Sequence, residues 1–415
     1  SMESDNKLFL LDAYALIYRA YYAFIKNPRI NSKGFNTSAI LGFVNTLEEV
    51  LKKENPTHIG VAFDPAGPTF RHEAFEQYKE QREETPEAIR LSVPIIKDII
   101  RAYRIPILEV AGYEADDVIG TLATEAGRQG IITYMMTPDK DYGQLVSDKV
   151  FMYRPKHTGG FEVMGVEEVK AKFDIQSPAQ VIDMLGLMGD SSDNIPGCPG
   201  VGEKTAQKLI SEFGSIENLL EHTDQLKGAL KTKVETNKEL ITFSKFLATI
   251  KIDVPIQLEM DKLVREQADE DSLRRIFEEL EFRTLIDRVL KKENSAGGVT
   301  TATGSKTATT KSVPSPLPLF PEEGGAIQGD LFANFTSNEA GEAKKSNLET
   351  LETLSCDYQL IDTEKKRAEI VQKLLTSKIL SLDTETTGTE PMDAELVGMS
   401  FSITENQAYY VPVPN

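Results

Sequence analysis

The sequence predicts an α/β fold: a mostly parallel central sheet with flanking helices, then an α-helical subdomain, a disordered linker and a partial α/β segment. Three observations carry this. Short apolar runs at residues 7–12, 58–64 and 131–141 each end in, or run into, an acid. Helical periodicity fills the gaps between them, the alternation expected of a parallel sheet. Between 293 and 350 the periodicity disappears into Ser, Thr, Gly, Ala, Pro and Glu, which reads as flexible chain.

Lys7-Leu-Phe-Leu-Leu-Asp12 is continuously apolar, as a strand covered on both faces must be. Ala13–Phe24 follows as a helix whose tyrosines, 14, 18, 21 and 22, suit core and rim packing. Arg19 on that helix either meets solvent or a phosphate. Residues 36–52 form a second helix, and His58–Asp64 a second strand closing on an acid. The stretch 69–104 alternates Arg71, Lys79, Arg82, Arg90, Lys97, Arg101 and Arg104 with acids, the pattern of a solvated helix laced with ion pairs. Lys79 and Arg82, three apart beside Tyr78, also share a face suited to holding a phosphate.

A strand at 105–110 leads to Gly112-Tyr113-Glu114-Ala115-Asp116-Asp117, three carboxylates in four positions at the start of an amphipathic helix. Glu114 and Asp117 lie one turn apart and share a side. Such acids either answer the positive end of the helix dipole or are held together by a cation. Asp12, Asp64, Asp139 and Asp141 favour the cation. All four fall just past strand ends, where open α/β sheets bind ligands. Asp190 and Asp193 add two more acids further on. Gly200-Val201-Gly202-Glu203-Lys204 then opens a helix with Ala206 and Leu209 on its apolar side. Its glycines let backbone approach a ligand, and the helix start offers free N–H groups to an anion. The pattern fits a helix–hairpin–helix phosphate clamp; a capped helix turn is the plainer alternative. Helical patterns continue to about Lys292. After the linker, strands are expected at 358–361, 378–387, 396–403 and 408–413, with a helix over 363–376. Asp383 and Glu385 share one face of the second of these strands.

Bulk properties narrow the class. With 415 residues there is room for two or more domains. No apolar run approaches bilayer length, and no signal peptide precedes the first strand, so no membrane partner is expected. Cys198 and Cys356 stand far apart without metal-ligand spacing, which fits a reducing cytoplasm and excludes a thiolate zinc site. A net charge of −19 is unusual for a phosphate binder, but clustered acids that hold cations are neutralised in use.

These motifs resemble the 5′-nuclease (flap endonuclease) family as found at the amino terminus of the bacterial DNA polymerase I family. The resemblance rests on Leu11–Arg19, Phe63-Asp64, Phe70–Glu73, Gly112–Asp117, Thr137–Asp141 and Gly189–Gly197, matched in order. Residues 353–415 look like the start of a ribonuclease-H-like 3′–5′ proofreading module, through Leu382-Asp383-Thr-Glu385. The implied layout is a PIN-like catalytic domain at 1–177 with its arch near 69–104, a helix–hairpin–helix subdomain at 178–292, a linker at 293–352 and a truncated exonuclease-like domain at 353–415. The resemblance implies neither polymerisation nor proofreading for this stretch.

What it does imply is structure-specific hydrolysis of DNA at 5′ flaps, nicks and RNA primers, in replication and repair. Asp12, Asp64, Glu114, Asp116, Asp117, Asp139, Asp141, Asp190 and Asp193 would form a two-metal site. All-oxygen ligands suit Mg²⁺ or Mn²⁺. Lys79, Arg82 and Asp116 would be catalytic. Arg19, Arg71, Tyr78, Lys79, Arg82, Gly200, Val201, Gly202 and Lys204 would contact DNA, with a K⁺ ion at the hairpin. Gln328, Leu331 and Phe332 in the linker resemble a short sliding-clamp-binding peptide. The chain is expected to be a cytoplasmic, nucleoid-associated monomer. A free-standing 5′ nuclease, a non-catalytic DNA-structure-binding module and a related ribonuclease are the alternatives.

Overall fold

The apolar run that opens the chain becomes β1 (Lys7–Asp12), and its neighbours form around it. β2 (His58–Ala62), β3 (Ile107–Leu108), β4 (Ile132–Met136), β5 (Val150–Pro155) and β6 (Phe161–Met164) complete a sheet ordered β3-β2-β1-β4-β5-β6. Every pair is parallel except β5 with β6. β1 is apolar throughout because both its faces are covered. Leu8 and Leu10 enter one core, Phe9 and Leu11 the other. All four are fully buried, each worth about 1.5–3 kcal/mol.

This computed structural model describes residues 5–80, 82, 84–156, 158–290, 357–377, 381–386, 396–402 and 407–412. The linker at 293–352, with Gln328, Leu331 and Phe332, lies outside the described residues. The first unit, residues 1–338, carries α1 (Ala13–Ala23), α2 (Ser38–Lys53), α3 (Phe70–Ala74), α4 (Glu87–Ala102), α5 (Ala115–Arg128), α6 (Val166–Phe173) and α7 (Val181–Met188). It continues with α8 (Glu203–Phe213), α9 (Ile216–Glu221), α10 (Gly228–Thr236), α11 (Lys238–Ala248), α12 (Met260–Leu263), α13 (Glu270–Glu279) and α14 (Arg283–Leu290). One core lies under α1, α2, α4 and α13. The other joins α5 to α7, α8 and α11, so the helical region shares a core with the sheet.

Within 69–104, where the resemblance implies an arch, α4 packs on the sheet's core. α4 is not free-standing: Ile89, Ile96, Ile99 and Ile100 are buried against the second core, because its apolar residues recur at helical spacing. Between α3 and α4, the described residues 75–80, 82 and 84–86 lie outside regular helix and strand. β5 and β6 had no sequence expectation; charged Arg154 and Glu162 interrupt their apolar pattern.

The second unit, residues 339–415, contains β7 (Asp357–Leu360), α15 (Glu364–Thr376), β8 (Ser381–Thr386), β9 (Leu396–Ser402) and β10 (Gln407–Pro412), in the order β7-β10-β9-β8. β7 pairs parallel with β10; the other pairs are antiparallel. Its buried core is Ile361, Ile370 and Tyr409. Asp383 and Glu385 lie in β8 opposite Ser400 and Gly398.

Candidate metal centre and nucleic-acid interface

Because β1, β2 and β4 are parallel, their carboxyl ends share one edge. Asp12 stands opposite Ala62, and Leu11 opposite Met136, so Asp12, Asp64 and Asp139 emerge together. The chain runs outward from β1 on both sides, which makes the gap between β1 and β4 a topological switch point, the place where such sheets bind ligands.

Each acid is held by its local structure. Asp12 caps α1, accepting from the Ala15 amide, while Tyr142 Oη donates to Oδ2 at 2.9 Å. Asp64 Oδ1 accepts the Ala115 amide at 2.8 Å, tying β2 to the start of α5. Glu114 caps α5. Asp139 Oδ1 accepts the Asp141 amide at 2.9 Å. Asp190 and Asp193 occupy a turn closed by a bridge between Asp190 and Ile195. That turn needs two glycines. A Cβ on Gly197, at φ +62°, would fall 2.3 Å from the Gly189 nitrogen.

Two groups of carboxylates result. Oxygens of Glu114, Asp116 and Asp117 lie within 4.8 Å of one another, as do those of Asp141, Asp190 and Asp193. Among the described residues no ion pair reaches Asp12, Asp64, Asp116, Asp139, Asp141 or Asp190. Burial and the Asp64 charge push Asp12 up to about 7. Burial, with Asp193 and Asp190, pushes Asp139 up to about 6 against the pull of the Asp141 amide. Asp116 and Asp141 are raised well above the carboxylate range by burial and by their acidic neighbours. Their Oδ1 atoms are buried without a hydrogen-bond partner. Buried acceptors are normally satisfied, so two orphaned carboxylate oxygens amid like charge fit a divalent cation. The all-oxygen donor set fits Mg²⁺ or Mn²⁺.

Three cations border this edge. Lys79 pairs with Glu114, and Arg82 with Asp193. Lys79 holds φ +59° and donates its amide to the Asp193 carbonyl at 3.0 Å. Burial disfavours charge on Glu114, yet Lys79 and Arg71 hold it down at about 2.

Three expected DNA contacts, Arg71, Tyr78 and Val201, need correction. Arg71 was expected to touch DNA, but its side chain is 1% exposed. It donates to Glu114 at 2.5 Å, to both Asp117 oxygens at 2.8 Å, and to the carbonyls of Leu247 and Thr249 at 2.9 and 2.7 Å. Asp117, expected at the metal, belongs to the first carboxylate group; it is fully buried, and its oxygens also accept the amides of Glu114 and Lys251. It braces the cluster through Arg71. Tyr78, expected at DNA, is 3% exposed, with its hydroxyl aimed at Glu114. Val201 is buried and its amide donates to the Cys198 carbonyl, leaving no donor for a phosphate.

The remaining expected residues are exposed or half-buried. Gly200, Gly202 and Lys204 are exposed at the start of α8, whose first-turn amides lack intrahelical acceptors. Arg19 is half-buried and donates to the Lys156 carbonyl. Thr137 and Tyr142, which orient Asp12, had no sequence expectation. A tyrosine directly after an acidic pair carries no periodic signal; only its burial reveals it.

A parallel sheet with carboxylates gathered at its switch point, joined to a hairpin-bearing helical region, defines a metal-binding α/β nuclease class. Residues 7–174 match the 5′-3′ exonuclease N-terminal resolvase-like domain, and residues 176–271 the 5′-3′ exonuclease C-terminal SAM fold. Residues 358–415 match a 3′-5′ exonuclease family. The chain belongs to the 5′-3′ exonuclease family as carried by DNA polymerase I homologues. It is 41% identical over 287 residues to DNA polymerase I of Bacillus caldotenax, covering 68% of this chain and 32% of that protein. It is 35% identical over 409 residues to DNA polymerase I of Chloroflexus aurantiacus, covering 98% of this chain and 41% of that protein. The chain thus spans only about a third to two fifths of these relatives. In fold it resembles T5 5′-exonuclease, solved with bound divalent metal ions (zinc), at 21% identity and TM-score 0.50, over 67% of this chain and 99% of that one. Among the described residues no helix is long and apolar enough to cross a membrane.

Proposed function

We propose that residues 1–292 form a divalent-metal-dependent 5′ nuclease that hydrolyses phosphodiester bonds at 5′ flaps, nicks and RNA primers on DNA, without reading sequence. The observation that carries this is the pair of carboxylate groups with two orphaned buried oxygens at the sheet's switch point. Asp12, Asp64, Glu114 and Asp116 would hold one Mg²⁺ or Mn²⁺. Asp139, Asp141, Asp190 and Asp193 would hold a second. When bound, such cations supply an activated water and charge compensation on the phosphoryl oxygens.

The chain's own residues do the rest. Tyr142 is raised well above its usual range by burial and by Asp12, so it keeps its proton and fixes the Asp12 carboxylate by donating to Oδ2. Arg71 and Asp117 fix Glu114 from behind. Lys79 and Arg82, which border the acids, would hold the scissile phosphate and stabilise its developing charge. Gly200, Gly202 and Lys204 hold duplex backbone, which positions without specifying, with a K⁺ ion at the hairpin. The functional division falls near residues 177/178, although the two parts share a core.

A labelled double-flap substrate tests this. The proposal expects cleavage with Mg²⁺, none with chelator, and none from Asp116→Ala while DNA binding persists. Binding without chelator-sensitive cleavage would favour the non-catalytic reading. Docking of Gln328, Leu331 and Phe332 to a sliding clamp belongs to the same proposal. Titrating a labelled peptide of residues 324–336 against the clamp should give saturable binding, and its absence ends that part.

A further inference from the structure

The nuclease reading leaves unused a strip of aromatic rings beside the acid cluster. Phe243 and Phe246, one turn apart on α11, stack with centroids 6.0 Å apart and planes at 18°. Phe75 meets Phe243 edge-on at 5.6 Å, and Phe70 meets Phe246 edge-on at 6.2 Å. Tyr113 tilts against Phe70 at 5.8 Å. Phe246 is 45% exposed. An open groove of about 410 Å³ runs past it along Phe243 and Lys238.

A single exposed phenylalanine needs no explanation. Five contiguous rings leading to a metal cluster do. Phe70 precedes Arg71 and Tyr113 precedes Glu114 in the chain. Leu247, next to Phe246, presents the carbonyl that accepts from Arg71 Nε at 2.9 Å. The strip is therefore anchored to the acids through a buried cation, so a ligand lying on it is fixed relative to the centre. Two lysines flank the rings: Lys251 Nζ, paired with Asp253, sits 5.6 Å from the Phe70 ring centroid, and Lys238 lines the groove beside Glu239. Aromatic faces flanked by cations are how single-stranded nucleic acid is held without sequence preference, because every base has a π face.

We propose that Phe246 and Phe243 stack the unpaired bases of the 5′ single strand, so that this strip selects for a flap over a bare nick. The proposal rests on the nuclease reading for the identity of its ligand. The geometry assigns the occupant by continuity with the metal centre and by the flanking lysines. A second copy of the chain is the rival occupant.

The test uses the full chain, two duplexes that differ only in a 5′ flap, and chelator to prevent cleavage. Phe246→Ala should lower the ratio of flapped to flapless affinity by roughly 5- to 100-fold, the range of one lost base–aromatic stack. Phe246→Trp should keep it. A 2-aminopurine in the flap should be quenched by the parent chain and not by Phe246→Ala. An unchanged ratio with undiminished quenching overturns the proposal. So does loss of concentration-dependent self-association in Phe246→Ala with the ratio intact, which reassigns the strip to a contact between copies. If the parent cuts neither duplex in Mg²⁺, the nuclease reading fails, while the affinity ratio and quenching still decide the stacking claim.

Discussion

Replacing Arg71 with methionine keeps its aliphatic bulk and removes its charge and all five hydrogen bonds it donates. Two carboxylates, Asp117 and Glu114, then lose their buried partner, and two carbonyls lose their donor. Breaking a buried ion pair from one side destabilises by about 3–5 kcal/mol, because a charge stays behind without compensation. For a unit of this size that corresponds to a fall in Tm of roughly 5–8 °C. Thermal melts in chelator should show it, and Arg71→Met combined with Asp117→Asn should recover part of the loss, since the stranded charge is gone. A buried bracing Arg71 leaves the salt dependence of DNA affinity unchanged when it is replaced. A direct phosphate contact would instead lower the log–log slope by about 1. A melt within about 1 kcal/mol of the parent, together with a reduced slope, would refute the bracing role.

The unpaired acids make metal-free stability depend on pH. Asp12 titrates at about 7 in the folded chain against 3.8 as its ordinary value, so the native state holds the extra proton between those limits. The resulting destabilisation is absent below about pH 4 and complete above about pH 7, about 4 kcal/mol at most. In chelator, Tm should therefore fall from pH 5 to pH 8, and Mg²⁺ should remove most of the fall; a flat chelator profile contradicts this. Asp116→Asn should abolish cleavage yet raise Tm in chelator at pH 8, because burial and its acidic neighbours hold Asp116 well above its usual range. Loss of both activity and stability would count against that origin. Gly197→Ala should displace the turn carrying Asp190 and Asp193, since its Cβ would lie 2.3 Å from the Gly189 nitrogen. Mn²⁺ affinity should drop and Tm fall by several degrees; a neutral result would mean that the turn is not tightly fitted.

The sheet and its acids were legible because burial on two faces leaves a plain trace. Leu8 to Leu11 are apolar without alternation, and the acids follow at strand ends. The alternating charge of 87–104 describes only the solvent face of α4; Ile89, Ile96 and Ile100 mark its buried side. Arg71 was misassigned for a related reason. Sequence spacing cannot separate a guanidinium that meets phosphate from one that meets Asp117 across 46 positions. Val201 shows the same limit. Its place between two glycines marks the hairpin, but its side chain fills the core and its amide is already used. Tyr142 was invisible because its work is done by depth and direction, not by pattern.

The central claim is that carboxylates distant in sequence cage divalent cations at one edge of the sheet. Counting bound Mn²⁺ by electron paramagnetic resonance tests it most directly, in the parent chain, Asp116→Ala and Asp193→Ala. The account predicts two sites in the parent, with a different one weakened by each substitution. No saturable Mn²⁺ binding, or two sites untouched by either change, would contradict it.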